Sequence, residues 1–246
     1  MFKRRHWLAA AAAAGTLLAV QPAALAHAQA PAATAAADAG PTVHLLLQYE
    51  SHSIGQDGVQ RDSRHTDRMV RDGDRVWIER VLPQVLRDEA AHGHKPTPGP
   101  HAGHAHDEAQ NAPLLLQRQA DGQTLVQIVL REQRRVIEVE KGHHGNVGYG
   151  GSWAAAYWLI DPQALQRMEK LGPPRNGVQR YRLQQGERRT EVDWDLAGRY
   201  VRTLVQQDMH GLSSQRLTVK AQPLPARMPW DELQGYARGD YSDLLD

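Results

Sequence analysis

The chain contains no cysteine among its 246 residues, so it has no disulfide, thiolate metal ligand or thiol nucleophile. Aromatic residues make up only 6%, with a single phenylalanine, which leaves aliphatic side chains to form most of a core. The motifs G-x-S-x-G, H-E-x-x-H and G-x-x-x-x-G-K-S/T are also missing. These absences exclude the commonest signatures of hydrolases, zinc peptidases and P-loop proteins, and the chain is predicted not to be an enzyme.

Residues 1–28 have the pattern of a secretory signal peptide. Lys3, Arg4 and Arg5 precede an apolar run from Leu8, and small residues follow it. Cleavage is expected before His27 or before Gln29, and the second site is favoured. No later stretch approaches the ~20 apolar residues that a membrane helix needs. The pattern predicts a soluble protein exported to the periplasm.

The charge of the mature chain argues against a nucleic-acid partner. Removal of residues 1–28 takes away three basic and no acidic residues, so Lys+Arg falls from 29 to 26 against 28 Asp+Glu, a net charge of −2. Basic and acidic residues also alternate, as in Arg61-Asp62. Such interleaving is typical of a solvated surface rather than of a stripe that follows phosphates.

The hydrophobic pattern predicts one β-rich domain over residues 42–222, after an Ala-rich lead, 29–41, that is expected to be disordered. The period is mostly two: in Val43–Tyr49 every odd position is apolar. Turn sequences separate such runs, and about nine strands with short connections are expected. Residues 223–246 are predicted to form a C-terminal tail.

One helix is predicted after Asp161, whose carboxylate can cap free backbone amides. Pro162 suits the first helical position, because its missing N–H has no partner there. Leu165, Met168 and Leu171 follow on one face. This helix is expected to pack on one face of the sheet.

A segment rich in His, Pro and Gly, residues 83–113, interrupts the domain and is predicted to be an extended loop. Neutral imidazole suits Cu, Zn and Ni, and clustered histidines at short spacing can share an ion without a prior fold. The alternative is a solvated linker whose histidines bind nothing. The candidate metal ligands in this segment are His92, His94, His101, His104 and His106.

His143 and His144 lie in a second candidate metal site, within a stretch that carries five glycines. Glycine runs serve first as turns with positive φ, so the structural interpretation of this stretch is preferred. His44, His52 and His65 fall in strands, where a solvent-facing position is expected.

The layout as a whole resembles the LolA-like periplasmic half-barrels, which include the outer-membrane lipoprotein carriers and the sensor domains of sigma-E regulators. The resemblance covers about residues 42–222 and rests on the signal peptide, the long strands after it, the interrupted middle, the Asp161-Pro162 helix and the hairpin Tyr181…Val192-Asp193-Trp194-Asp195…Val201. It implies a mainly β fold: a curved antiparallel sheet with one or two short helices.

The resemblance also implies a concave sheet face that holds an acyl chain or a peptide under a helical lid. In this chain the Asp161–Leu171 helix is the expected lid. The wall is predicted to be lined by Leu45, Leu47, Val76, Ile78, Leu125 and Trp153.

Two functions are compatible with the sequence. The first is binding or buffering of a divalent transition metal, Cu, Zn or Ni, through the His-rich segment, with no organic cofactor. The second is binding of a lipid, a lipoprotein or an envelope protein by the concave sheet face.

Overall fold

The computed structural model describes residues 39–82 and 111–244. Within these ranges the chain forms twelve strands, two short α-helices and three 3-10 turns. The strands are β1 (Val43–Ile54), β2 (Gln60–Asp72), β3 (Arg75–Arg80), β4 (Leu114–Arg118), β5 (Thr124–Leu130), β6 (Arg135–Glu138), β7 (Glu169–Lys170), β8 (Val178–Gln185), β9 (Arg188–Asp195), β10 (Tyr200–Asp208), β11 (Ser213–Gln222) and β12 (Ala237–Asp240). The helices are α1 (Trp153–Trp158) and α2 (Pro162–Gln166), and the 3-10 turns span Lys141–Val147, Pro229–Leu233 and Tyr241–Leu244.

The strands form one open, curved sheet in the order β12-β6-β5-β4-β3-β2-β1-β11-β10-β9-β8-β7. Neighbouring strands run antiparallel, except for β12, which pairs in parallel with β6. The predicted fold class, a mainly β antiparallel curved sheet with short helices, is confirmed. In the part of the chain that the structure describes, no helix is long and apolar enough to cross a membrane.

The main core lies on one face of this sheet, under α1 and α2. In β1, Leu45 and Leu47 are fully buried on this face, whereas Leu46 between them is partly exposed on the other. Aromatic anchors from α1, Tyr157 and Trp158, belong to the same cluster. In β1 the period-two pattern of the sequence therefore predicts which face is buried.

The other face carries a smaller apolar cluster that the C-terminal residues cover. Trp77 of β3 is completely buried there, and Leu233 and Trp230 pack against the same group. Residues 237–240 then add β12 to the sheet edge. The predicted C-terminal tail thus covers the second apolar cluster and also adds a strand to the sheet.

Helix α2 begins where the sequence predicts. Asp161 accepts a hydrogen bond from the backbone N–H of Gln163 at 2.9 Å, and Pro162 occupies the first turn. The helix ends at Gln166, earlier than the predicted Leu171, because residues 169–170 leave it to pair with β8.

Candidate functional site

A groove lies between α1 and the sheet, with a volume of about 550 Å³. We call it the α1 groove. Its sheet side is formed by Tyr49, His65, Ile78, Leu204 and Leu217, and its helix side by Ser152, Ala155, Ala156 and Leu159. Glu50, Ser51, Ser63, Gln215 and Arg216 line one end, and Gly148 and Gly150 complete the lining.

Strand register brings the sheet side of the groove together. Tyr49 pairs with His65 on one neighbouring strand and with Leu217 on the other, and Leu217 in turn pairs with Leu204. Directly paired side chains point to the same face of a sheet. Four residues from four adjacent strands therefore form one continuous apolar and aromatic wall opposite α1.

The sequence of α1 explains why space remains between helix and sheet. Tyr157 and Trp158 bury their rings and hold the helix in place, whereas Ala155 and Ala156 carry only methyl groups on the groove side. An α-helix of six residues has little stability of its own, so its position depends on these anchors. The short alanine side chains leave the volume that the wall of the sheet does not fill.

Arg71 of β2 is the polar anchor of α1, and its side chain is 0% exposed. The guanidinium donates hydrogen bonds to the carbonyl oxygens of Tyr157 at 2.8 Å, Gly198 at 2.6 Å, Arg199 at 3.1 Å and Pro41 at 3.3 Å. It also stacks on the rings of Tyr157 and Trp158, 4.7 and 4.5 Å from their centroids. Burial lowers the pKa of Arg71 to about 10, so the group remains charged at neutral pH. One side chain thus joins α1, the β9–β10 turn and the N-terminal end of the described chain.

The aromatic wall of the groove is uncharged at neutral pH. His65 stacks on Tyr49 with 4.6 Å between ring centroids. Burial, followed by the charge of Asp67, raises the pKa of Tyr49 to about 12, and Arg80 opposes this rise. Burial and the charge of Arg80 lower the pKa of His65, whereas Asp67 raises it. Next to this wall, Asp67 and Arg80 form an ion pair at 2.6 Å.

The predicted ligand-binding residues are distributed over three places. Leu45, Leu47 and Val76 are fully buried in the core, and Ile78 lines the α1 groove. Leu125 and Trp153 line a neighbouring pocket of about 590 Å³ beside the glycine-rich stretch, together with His144 and Tyr149. Gly150 lines both cavities. The expected lid also differs, because α1 and not α2 covers the groove.

Sequence reasoning missed Tyr49, His65, Leu204 and Leu217 as wall residues. For Tyr49 a signal was present, since it continues the odd-numbered apolar positions of β1. His65 was expected to face solvent, but its register places it on the groove side with Tyr49. His44 and His52 lie on the opposite face, where His44 Nδ1 is 2.6 Å from the carbonyl oxygen of Pro223 and His52 Nδ1 is 2.7 Å from Asp62 Oδ1.

The five histidines of the predicted metal-binding segment lie outside the described residues: His92, His94, His101, His104 and His106. The rings of His143 and His144 contact different tyrosines: His143 stacks on Tyr241 at 4.9 Å, and His144 meets Tyr149 edge-on at 5.2 Å. His144 Nε2 also lies 3.1 Å from the carbonyl oxygen of Val139. Across residues 39–82 and 111–244, no group of three or more metal-binding side chains occurs.

No family model matches this chain, and no curated protein is similar to it in sequence. Solved structures of similar layout include MucB, with 12% identity over 82% of this chain and 60% of MucB and a TM-score of 0.38. A LolA superfamily protein from Nitrosomonas europaea matches at 7% identity over 76% of this chain and 88% of its own, with a TM-score of 0.31.

A third similar structure is PNGF-II, with 10% identity, 82% of this chain covered and a TM-score of 0.35, but this chain spans only 33% of its length. One of these three structures is that of a LolA superfamily protein, and the layout of this sequence resembles the same superfamily. The likeness is distant in every case and concerns the layout of the sheet.

Proposed function

We propose that this chain is a binding protein of the cell envelope that holds a hydrophobic ligand, the acyl chain of a lipid or lipoprotein, in the α1 groove. The observation that carries the proposal is the unfilled apolar space between Ala155 and Ala156 of α1 and the wall around Tyr49. Its volume, about 550 Å³, falls within the range of about 300–1,000 Å³ that is usual for ligand sites.

The chemistry of the wall favours an apolar occupant. Aliphatic side chains and an uncharged aromatic pair form the sheet side, and Ala155, Ala156 and Leu159 with the hydroxyl of Ser152 form the helix side. Moving an acyl chain from water into such a space is worth about 0.8 kcal/mol for each buried CH₂ group. Asp67 and Arg80 beside the wall form an ion pair, and the charged residues at one end of the groove, Glu50 and Arg216, are of opposite sign.

A groove-filling substitution tests the proposal. Ala155→Trp places an indole in the groove, and because Ala155 is exposed on its helix the substitution costs less than about 1 kcal/mol in helix propensity. We expect wild-type protein to bind the uncharged fluorescent probe N-phenyl-1-naphthylamine and the variant to bind it at least ~10-fold more weakly, the loss expected when about two CH₂ equivalents leave the groove.

Ala120→Trp is the matched control, since Ala120 is exposed in the β4–β5 turn and does not line the groove. Equal probe affinity in both variants would contradict the proposal. Protein purified from the native envelope provides a second measurement, because extraction and mass spectrometry should yield acyl chains. Recovery of a bound apolar peptide instead would favour an envelope-protein segment as the occupant.

A further inference from the structure

The inner face of β1 and β11 changes from apolar to polar in steps along the strands. Leu47 lies between Val219 of β11 and Asp67 of β2, whose carboxylate pairs with Arg80, and two residues further on Tyr49 lies between His65 and Leu217. The next step places Ser51 between Ser63 and Gln215. The last step consists of Ser53 with Arg61 and Ser213 on either side.

The paired residues Ser51, Ser63 and Gln215 are part of the α1 groove itself, because all three line it. Two residues along a strand span about 7 Å, so these groups lie about that distance beyond the Tyr49–His65 wall. Ser51 Oγ and Ser63 Oγ are 2.8 Å apart and share one hydrogen bond. A hydroxyl both donates and accepts, so the pair retains a donor and several lone pairs for a ligand.

Charges of both signs lie at this polar end, where two arginines form ion pairs with carboxylates. Arg61 pairs with Asp57 at 3.0 Å, and Arg64 pairs with Glu50 at 2.9 Å. Arg216 lies opposite Glu50 in the register of β1 and β11. The groove end therefore offers hydroxyl and amide groups among charges of both signs, an environment suited to a ligand group that forms hydrogen bonds without carrying charge.

We infer that the ligand of the α1 groove is a single-chain amphiphile with an uncharged, hydroxyl-bearing head group, bound with its chain beneath α1 and its head on Ser51, Ser63 and Gln215. This inference rests on the proposed function, because it assumes that the groove holds the chain. It adds an orientation and a head-group class, both fixed by the polarity steps of the sheet.

Amphiphiles with the same twelve-carbon chain and different heads test the inference: dodecyl maltoside, dodecanoate and dodecyltrimethylammonium, each below its micelle concentration. Displacement of N-phenyl-1-naphthylamine reports their affinities. We expect dodecyl maltoside to bind most tightly. The double variant Ser51→Val/Ser63→Val should weaken its binding ~10-fold, as two neutral hydrogen bonds imply, and should leave the affinity for the probe within ~2-fold.

Valine suits a strand, so the double variant should fold, and an unchanged urea midpoint checks this. Ser214→Val is the matched control, because Ser214 pairs with His52 and so lies on the opposite face. If the probe binds but the charged amphiphiles bind as tightly as dodecyl maltoside, or the double variant keeps the full affinity for dodecyl maltoside, the head-group inference is wrong. If wild-type protein does not bind the probe at all, the proposed function itself is wrong.

Discussion

Replacement of Arg71 by methionine should destabilise the fold and weaken ligand binding together. The guanidinium donates four hydrogen bonds to carbonyl oxygens, of which the bond to Tyr157 is buried and the others are partly buried. Methionine keeps much of the apolar stem and removes every donor. The carbonyl of Tyr157 would then lie buried without a partner, at a cost of about 1–3 kcal/mol.

The magnitude follows from opposing contributions. The four hydrogen bonds and the two ring contacts contribute roughly 4–10 kcal/mol in total. Burial of the charge offsets part of this, since lowering the pKa of Arg71 from 12.5 to about 10 corresponds to about 3 kcal/mol. We expect Arg71→Met to reduce the free energy of unfolding by about 3 kcal/mol, within the range seen when buried charged networks are broken.

Urea unfolding followed by tryptophan fluorescence measures this change, with binding of N-phenyl-1-naphthylamine as the second readout. Because Arg71 holds the end of α1, the variant should also bind the probe more weakly under conditions in which it remains folded. Arg68→Met is the control: Arg68 is exposed on the same strand, and its loss should change stability by no more than about 0.5 kcal/mol. A loss below about 1 kcal/mol for Arg71→Met would refute the anchoring role.

Two further predictions concern titration and metal binding. The raised pKa of Tyr49 means that the folded protein keeps this proton between pH 10 and about 12 while the unfolded chain loses it, so roughly 2 kcal/mol of stability should be lost across that window. Urea unfolding at pH 8.5 and at pH 11.5 measures this loss of stability. The urea midpoint of Tyr49→Phe should fall less between these two pH values than that of the wild-type protein, and an equal fall would contradict the assignment of the loss to Tyr49. Metal binding by the His-rich segment remains a prediction: calorimetry with Cu(II), Ni(II) or Zn(II) should show affinity that falls below pH ~6.5. Stoichiometry that stays unchanged after replacement of His92, His94, His101, His104 and His106 by alanine would refute it.

Local signals in the sequence predict local structure well. The alternation of apolar and other residues along Val43–Tyr49 predicts the strand and its buried face, since side chains on a strand point to alternate sides. Asp161-Pro162 gives the first residues of α2, because capping depends only on neighbouring residues. Both inferences need nothing from distant parts of the chain, and the structure agrees with both.

Long-range contacts were not predictable in the same way. Arg71 resembles any other strand arginine in the sequence, yet its partners are Pro41, Tyr157 and the 198–199 turn, up to 128 residues away. The parallel pairing of β12 with β6 likewise joins residues 237–240 to residues 135–138. A period-two pattern identifies a strand, but it does not specify which strand becomes its neighbour.

The position of His65 shows how the register of one hairpin creates the groove wall. The connection between β1 and β2 sets Ile54 opposite Gln60, so partners along the hairpin are both odd-numbered or both even-numbered. His65 therefore faces the same way as Tyr49 and Leu47, and His44 and His52 face the other way. A shift of the register by one residue would turn every side chain of β2 to the opposite face, removing the stacked pair and taking Met69 out of the main core. The groove wall thus depends on the length of the connection at residues 55–59 as much as on the wall residues themselves.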